Sequence, residues 1–169
     1  MGVFMTTNST SSLYFAARAK ALALLAALAL TVAGVSPVLA DHCDDIAAQL
    51  ASAIDGIKVG FRAENNIYVS HPLAKEMSVG CTGPNFQNEL YVKADARTPK
   101  PAFLDFVGSA AAIVFTLPKD DALTGVSRCI KRMGLLRGDN IKMRYRRLDF
   151  ACSRNKTEAW IVITRGIDQ

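Results

Sequence analysis

Four cysteines, Cys43, Cys81, Cys129 and Cys152, constrain this chain more than any other feature, because all of them follow an apolar leader and none precedes it. The leader carries Arg18 and Lys20, then "ALALLAALALTVAGV" from Ala21 to Val35, then "SPVLA" with small or aliphatic side chains at Val38 and Ala40. A positive flank, an apolar stretch of this length and an A-x-A-like end are the parts of a secretory signal peptide. Residues 1–40 are therefore expected to be removed after Ala40, leaving residues 41–169 as the mature chain. The apolar run is shorter than the roughly 20 residues that span a bilayer, and no later segment is more apolar, so no transmembrane segment is expected in the mature chain.

Export puts the cysteines in an oxidising place, periplasmic or extracellular, where an even number at wide spacing reads as two disulfides with three possible pairings. No C-x-x-C pair is present, which argues against a metal site. If pairing follows sequence order, the bridges close stretches of 38 and 23 residues. The chain-entropy model then assigns roughly 3 to 4 kcal/mol to each. A mature chain of this length is one domain's worth and is long enough to bury a core of its own. The formal charge of +5 rests on 20 basic against 15 acidic residues, and without Arg18 and Lys20 it falls to +3.

Periodicity supplies the elements. Ile46, Ala47, Leu50, Ala51 and Ile54 share one helix face behind Asp44 and Asp45, and Gly56 supplies a stop, so a first helix is expected over 43–55. The period then changes to two. Ile57, Val59 and Phe61 alternate with Lys58, Gly60 and Arg62, the mark of a half-buried strand. Asn65 and Asn66 mark a turn, Ile67 and Val69 begin a second strand that Pro72 ends, and "MSVGC" and "NELYVKA" flank the turn-rich "TGPN". Pro101 suits the first turn of a second, strongly apolar helix through Phe103, Phe106, Val107, Ala110, Ala111 and Val114. Asp120 and Asp121 open a third helix with Leu123, Val126, Ile130 and Met133 on its buried face and Gly134 as its cap. "IKMRYRRLDFAC" and "EAWIVITR", joined by "SRNKT", read as a closing hairpin. Strands before and after the last two helices, without regular βαβ alternation, define an α+β fold: a mainly antiparallel sheet with about three helices on one face and two disulfides.

The stretch from Arg128 to Lys156 holds ten basic residues against Asp139 and Asp149, so the rest of the mature chain is net negative. Within it, Lys142, Arg144 and Arg146 alternate with Ile141, Met143 and Tyr145, after which Leu148 and Phe150 take the basic parity. A bulge at Arg146 and Arg147 would restore the apolar face and leave Lys142, Arg144, Arg146 and Arg147 as an anion-binding set on the outside. Such asymmetry steers anionic partners. Basic side chains on an exposed strand also solubilise it and block edge-to-edge pairing. Only Tyr145 interleaves with the cations, so specific nucleic-acid binding is not expected.

Other sites are weaker. "DHCDD" resembles a metal cluster, but cleavage after Ala40 puts His42 second rather than third, and Cys43 is more readily a disulfide partner. His71 is the other histidine, and Ser70 beside it points to the opposite strand face, which leaves no nucleophile–base pair. Glu64 with Glu76 is a conceivable carboxylate pair. No G-x-S-x-G, H-E-x-x-H or phosphate-binding glycine loop occurs, and no motif calls for a cofactor.

The leading helix with Cys43, the segment "HPLAKEMSVGC", the helix "FLDFVGSAAAIVFT", Cys129 in the next helix and Cys152 in a late strand together resemble small exported, uncharacterised proteins of rhizobial-type alphaproteobacteria. The resemblance covers most of the mature chain. It implies a periplasmic location and carries over no activity and no site residues. The expectation is a non-enzymatic binding or envelope-associated domain whose basic hairpin meets an anionic envelope component: glycolipid, phospholipid headgroup or cell wall. A small hydrolase using His71 or paired carboxylates is the alternative. A periplasmic protein inhibitor is a third reading, which the basic hairpin opposes where the target is a lysozyme, itself basic.

Overall fold

A computed structural model describes residues 38–82, 87–134 and 136–165. Helix α1 spans Val38–Ala53, and strands β1 (Lys58–Ala63), β2 (Asn66–His71), β3 (Ala74–Thr82) and β4 (Gln87–Ala94) follow. Helices α2 (Pro101–Phe115) and α3 (Lys119–Arg132) come next, then β5 (Asn140–Tyr145), β6 (Leu148–Arg154) and β7 (Ala159–Arg165). The strands form one antiparallel sheet in the order β1-β2-β3-β4-β7-β6-β5. Two meanders, β1 to β4 and β5 to β7, meet at the β4–β7 pair. Strands β1 and β5 are its free edges.

The three helices of the described residues cover one face, as the α+β reading requires: α1 over β1 to β3, α2 against β4, and α3 over β5 and β6. Alternation along the strands sends Met77, Val79, Leu90, Val92, Phe150, Cys152, Ile161 and Ile163 into the core beneath them. Ser78, Tyr91, Lys93, Ala151, Trp160, Val162 and Thr164 take the opposite parity and face away from the helices. The cysteines pair in sequence order. Cys43–Cys81 ties α1 to β3 and Cys129–Cys152 ties α3 to β6, with Cα–Cα distances of 5.9 and 6.0 Å.

Helix α1 begins at Val38, earlier than expected, so Asp44 and Asp45 lie within it, and Asp44 pairs with Arg62 of β1 at 2.8 Å. Among its described side chains the first buried one is Cys43, beyond the expected cleavage point. The leader segment before Val38 and most of the "TGPN" turn lie outside the described residues. Gly56 ends the helix with φ 87, a conformation that a β-carbon would disfavour. Helix α2 starts with Pro101 at its first turn, where the missing N–H costs nothing. It closes through Thr116, left-handed at φ 54, with the Thr116 and Leu117 N–H groups donating to the carbonyls of Ile113 and Ala112.

Four expectations change. Strand β1 is exposed along its whole length rather than half-buried, because it is a sheet edge and a register shift between Val59 and Arg62 turns Arg62 to the helix side. Exposed Phe61 instead stacks on Tyr68, ring centroids 4.5 Å apart. The buried face of α3 is Ala122, Gly125, Val126 and Cys129, with Leu123 and Ile130 only half-buried. The disulfide at Cys129 and the contact of Gly125 with Phe150 set that rotation. Gly134 is not the helix cap: Met133 leaves the helix in extended conformation, and Gly134 closes a short loop onto Gly138.

The fourth change concerns the basic stretch. Residues 141–152 are not one bulged strand. Tyr145 pairs with Leu148, so Arg146 and Arg147 are a two-residue turn between β5 and β6, with Arg146 at φ 56. A two-residue turn leaves Tyr145 and Leu148 on the same face, which accounts for the parity flip without an extra residue.

Candidate anion-binding surface

The turn separates the four expected cations. Lys142 and Arg144 stay on the helix-free face of the sheet, opposite Ala151 and Asp149. There they line a shallow groove of about 500 Å³ with Asp149, Ala151, Val162 and Thr164. Arg144 lies 3.9 Å from Asp149, with both side chains about half exposed. Arg146 leaves from the turn toward α3, where its guanidinium is 3.5 Å from Asp121 and 5.8 Å from the Tyr145 ring centroid. Arg147 is exposed at the turn itself. Among the described residues neither Lys142 nor Arg147 forms an ion pair.

The structure adds cations from outside those four. Arg128, Lys131 and Arg132 project from the last turns of α3 beside β5. Arg128 stands over the Tyr145 ring at 4.8 Å, and Arg132 reaches the Met143 sulfur. Arg137 joins them from the following loop, so that Lys131, Arg132, Met133, Gly134, Leu136 and Arg137 line one open hollow of about 650 Å³. Among the described residues none of Arg128, Lys131, Arg132 and Arg137 has a carboxylate partner. The nearby acid, Asp139, is held by Arg97 at 3.0 Å and Arg154 at 2.6 Å. The hydrogen bonds from Arg154 and then Arg97 hold its carboxyl below the usual range. The positive excess read from Arg128 to Lys156 thus gathers at one end of the sheet, on both sides of the β5 edge.

A different network stabilises the opposite side of β7. Glu158, with its side chain mostly covered, accepts from Lys75 and, at 3.3 Å, pairs with Lys93, which also meets Glu76 at 3.3 Å. The hydrogen bond from Lys75 depresses the Glu158 carboxyl, with burial opposing it and Lys93 and Asn155 adding to it. Asn155 builds the β6–β7 turn by accepting from the Thr157 and Glu158 N–H groups at 2.8 and 2.7 Å. Each of these charges is satisfied within the domain.

The other candidates resolve into structure. The His71 ring stacks on Phe106 with centroids 3.9 Å apart. Its Nδ1 accepts from the Leu73 N–H at 3.2 Å, which places the proton on Nε2, and Nε2 donates to the Asp55 carbonyl at 3.1 Å. Both ring nitrogens are thus engaged with backbone, pinning the β2–β3 turn to the end of α1. Glu64 occupies the β1–β2 turn and Glu76 the far end of β3, beyond Gly80. Four residue steps along the strand separate Gly80 from Glu76, about 13 Å, wider than the roughly 5 to 9.5 Å of hydrolytic carboxylate pairs. Cys43 is bridged, and no three metal-ligating side chains converge among the described residues. No described helix is long and apolar enough to cross a membrane.

Searches against protein-family models, curated proteins and solved structures gave no match.

Proposed function

We propose that the protein is an exported, non-enzymatic binding domain whose basic β5 end engages an anionic component of the cell envelope. One observation carries the reading: the cations Arg128, Lys131, Arg132, Arg137, Lys142 and Arg147 surround a single sheet edge with no carboxylate partner among the described residues. Charges needed only to hold the fold are paired, as Asp139, Glu158 and Asp44 illustrate. Arg144 and Arg146 belong to the same surface. Their pairs with Asp149 and Asp121 are long, at 3.9 and 3.5 Å, and both arginines are exposed, so solvent screening weakens the pairs. Two disulfides fit an oxidising compartment, and the periplasm is the location proposed.

The test compares retention on an anionic matrix for two triple variants. Lys131, Arg132 and Arg137 changed to Ser are expected to elute at much lower salt than the wild type. Arg144, Arg146 and Arg147 changed to Ser are expected to lose less, because two of those side chains are already partly neutralised. Both should keep the wild-type thermal midpoint. Wild-type retention by both variants would refute the proposal.

A further inference from the structure

We infer that the loop closed by Gly134 and Gly138 is a membrane-docking element, in which Leu136 enters the interface of a bilayer bearing anionic phosphate headgroups while Lys131, Arg132 and Arg137 bind those headgroups. The inference rests on the anionic-partner reading and narrows it to one partner. Leu136 is 100% exposed, whereas the next most exposed large apolar side chain among the described residues, Phe61, reaches 66% and stacks on Tyr68. Single exposed leucines are common on protein surfaces, so the case depends on what surrounds this one.

Two features do so. First, backbone hydrogen bonds tie the chain together on either side of Leu136 and Arg137. The Gly138 N–H donates to the Gly134 carbonyl at 2.7 Å and the Gly134 N–H to the Gly138 carbonyl at 3.0 Å, and Gly138 sits at φ 75. Second, Lys131, Arg132 and Arg137 line the same hollow as Leu136, without carboxylates. An apolar tip inside a ring of cations matches the layered chemistry of a bilayer surface, where acyl chains lie just below phosphates. A soluble polyanion would neutralise the cations equally well but would give Leu136 nothing apolar to enter. That difference selects the bilayer. Burying one leucine strengthens binding about tenfold, and each cation near an anionic surface contributes about fivefold, so attachment should be reversible.

Three measurements on the disulfide-bonded protein test this: co-sedimentation with phosphatidylcholine–phosphatidylglycerol vesicles, co-sedimentation with phosphatidylcholine vesicles alone, and retention on immobilised dextran sulfate. The wild type is expected on the mixed vesicles and not on the neutral ones. L136S should bind the mixed vesicles about tenfold more weakly with dextran sulfate retention unchanged, and with an unchanged melting midpoint because Leu136 packs against nothing. L136W should show a blue-shifted emission, over that of native Trp160, and quenching by brominated acyl chains when vesicles are added. Equal vesicle binding by L136S, or an L136W emission that stays unshifted and unquenched on bound vesicles, overturns the docking element and leaves the anionic reading standing. Retention on dextran sulfate without vesicle binding does the same. Loss of both in the wild type overturns the inference and the reading beneath it.

Discussion

Gly125→Ala should unseat the helix that displays Arg128, Lys131 and Arg132, three of the six cations without a carboxylate partner among the described residues. A β-carbon at Gly125 would lie 2.4 Å from Cζ of Phe150, 2.8 Å from Cε2 and 3.1 Å from Cε1. Phe150 is fully buried between its cross-strand neighbours Ile163 and Met143, and the Cys129–Cys152 bridge, two residues along β6, keeps α3 from moving outward. Overpacking of this kind costs about 1–3 kcal/mol, and the confinement places it near the upper end. The better helix propensity of alanine returns about 1 kcal/mol. The net loss is then about 2 kcal/mol, or a fall of about 8 °C in thermal midpoint for a domain of this size. Differential scanning calorimetry of the oxidised protein reads it directly. Gly134→Ala is the control: its β-carbon meets nothing within 4 Å, and its midpoint should hold or rise slightly. A Gly125→Ala midpoint at or above the wild type would refute the proposed packing of α3 on β6.

Replacing Cys43 and Cys81 with Ala should cost about 4 kcal/mol in denaturant titrations, and replacing Cys129 and Cys152 about 3 kcal/mol, in the order of the closed lengths of 38 and 23 residues. The Glu158 carboxyl is depressed in the folded state, so its contribution is complete above the ordinary carboxylate range and is lost as pH falls through and below that range. Glu158→Gln should flatten the stability–pH curve in that acid window, and an unchanged acid limb would contradict the role given to the Lys75–Glu158–Lys93 network. Arg146→Ser breaks a solvent-screened pair with Asp121 and should leave the thermal midpoint nearly unchanged.

The architecture was legible where a local rule carries it. Helical spacing found α2, short runs bounded by turn residues found β3, β4 and β7, and the even cysteine count behind an apolar leader indicated two bridges. Where tertiary context decides, local rules misled. The Arg146–Arg147 turn lacks the glycine or asparagine that announces a tight hairpin, so a parity flip read as a bulge. The α3 core face is made of Ala122 and Gly125, residues whose smallness hides them from an apolar count but lets the helix approach Phe150. Val59 and Phe61 alternate like core residues, yet the helix layer does not bury them. The positive excess between Arg128 and Lys156 was visible as composition. Which cations are neutralised was not, because Asp121 and Asp139 find their partners through the fold.

The central claim is that the β5 end binds anions, and the most direct measurement is equilibrium binding of the oxidised protein across a salt series. The ligands are phosphatidylglycerol vesicles, outer-membrane glycolipid, cell wall and neutral vesicles. The account predicts binding to an anionic surface that weakens steeply with salt, is absent on neutral vesicles, and is much weaker at a given salt when Lys131, Arg132 and Arg137 become Ser. Binding that ignores salt, or that is unchanged in that variant, would contradict it.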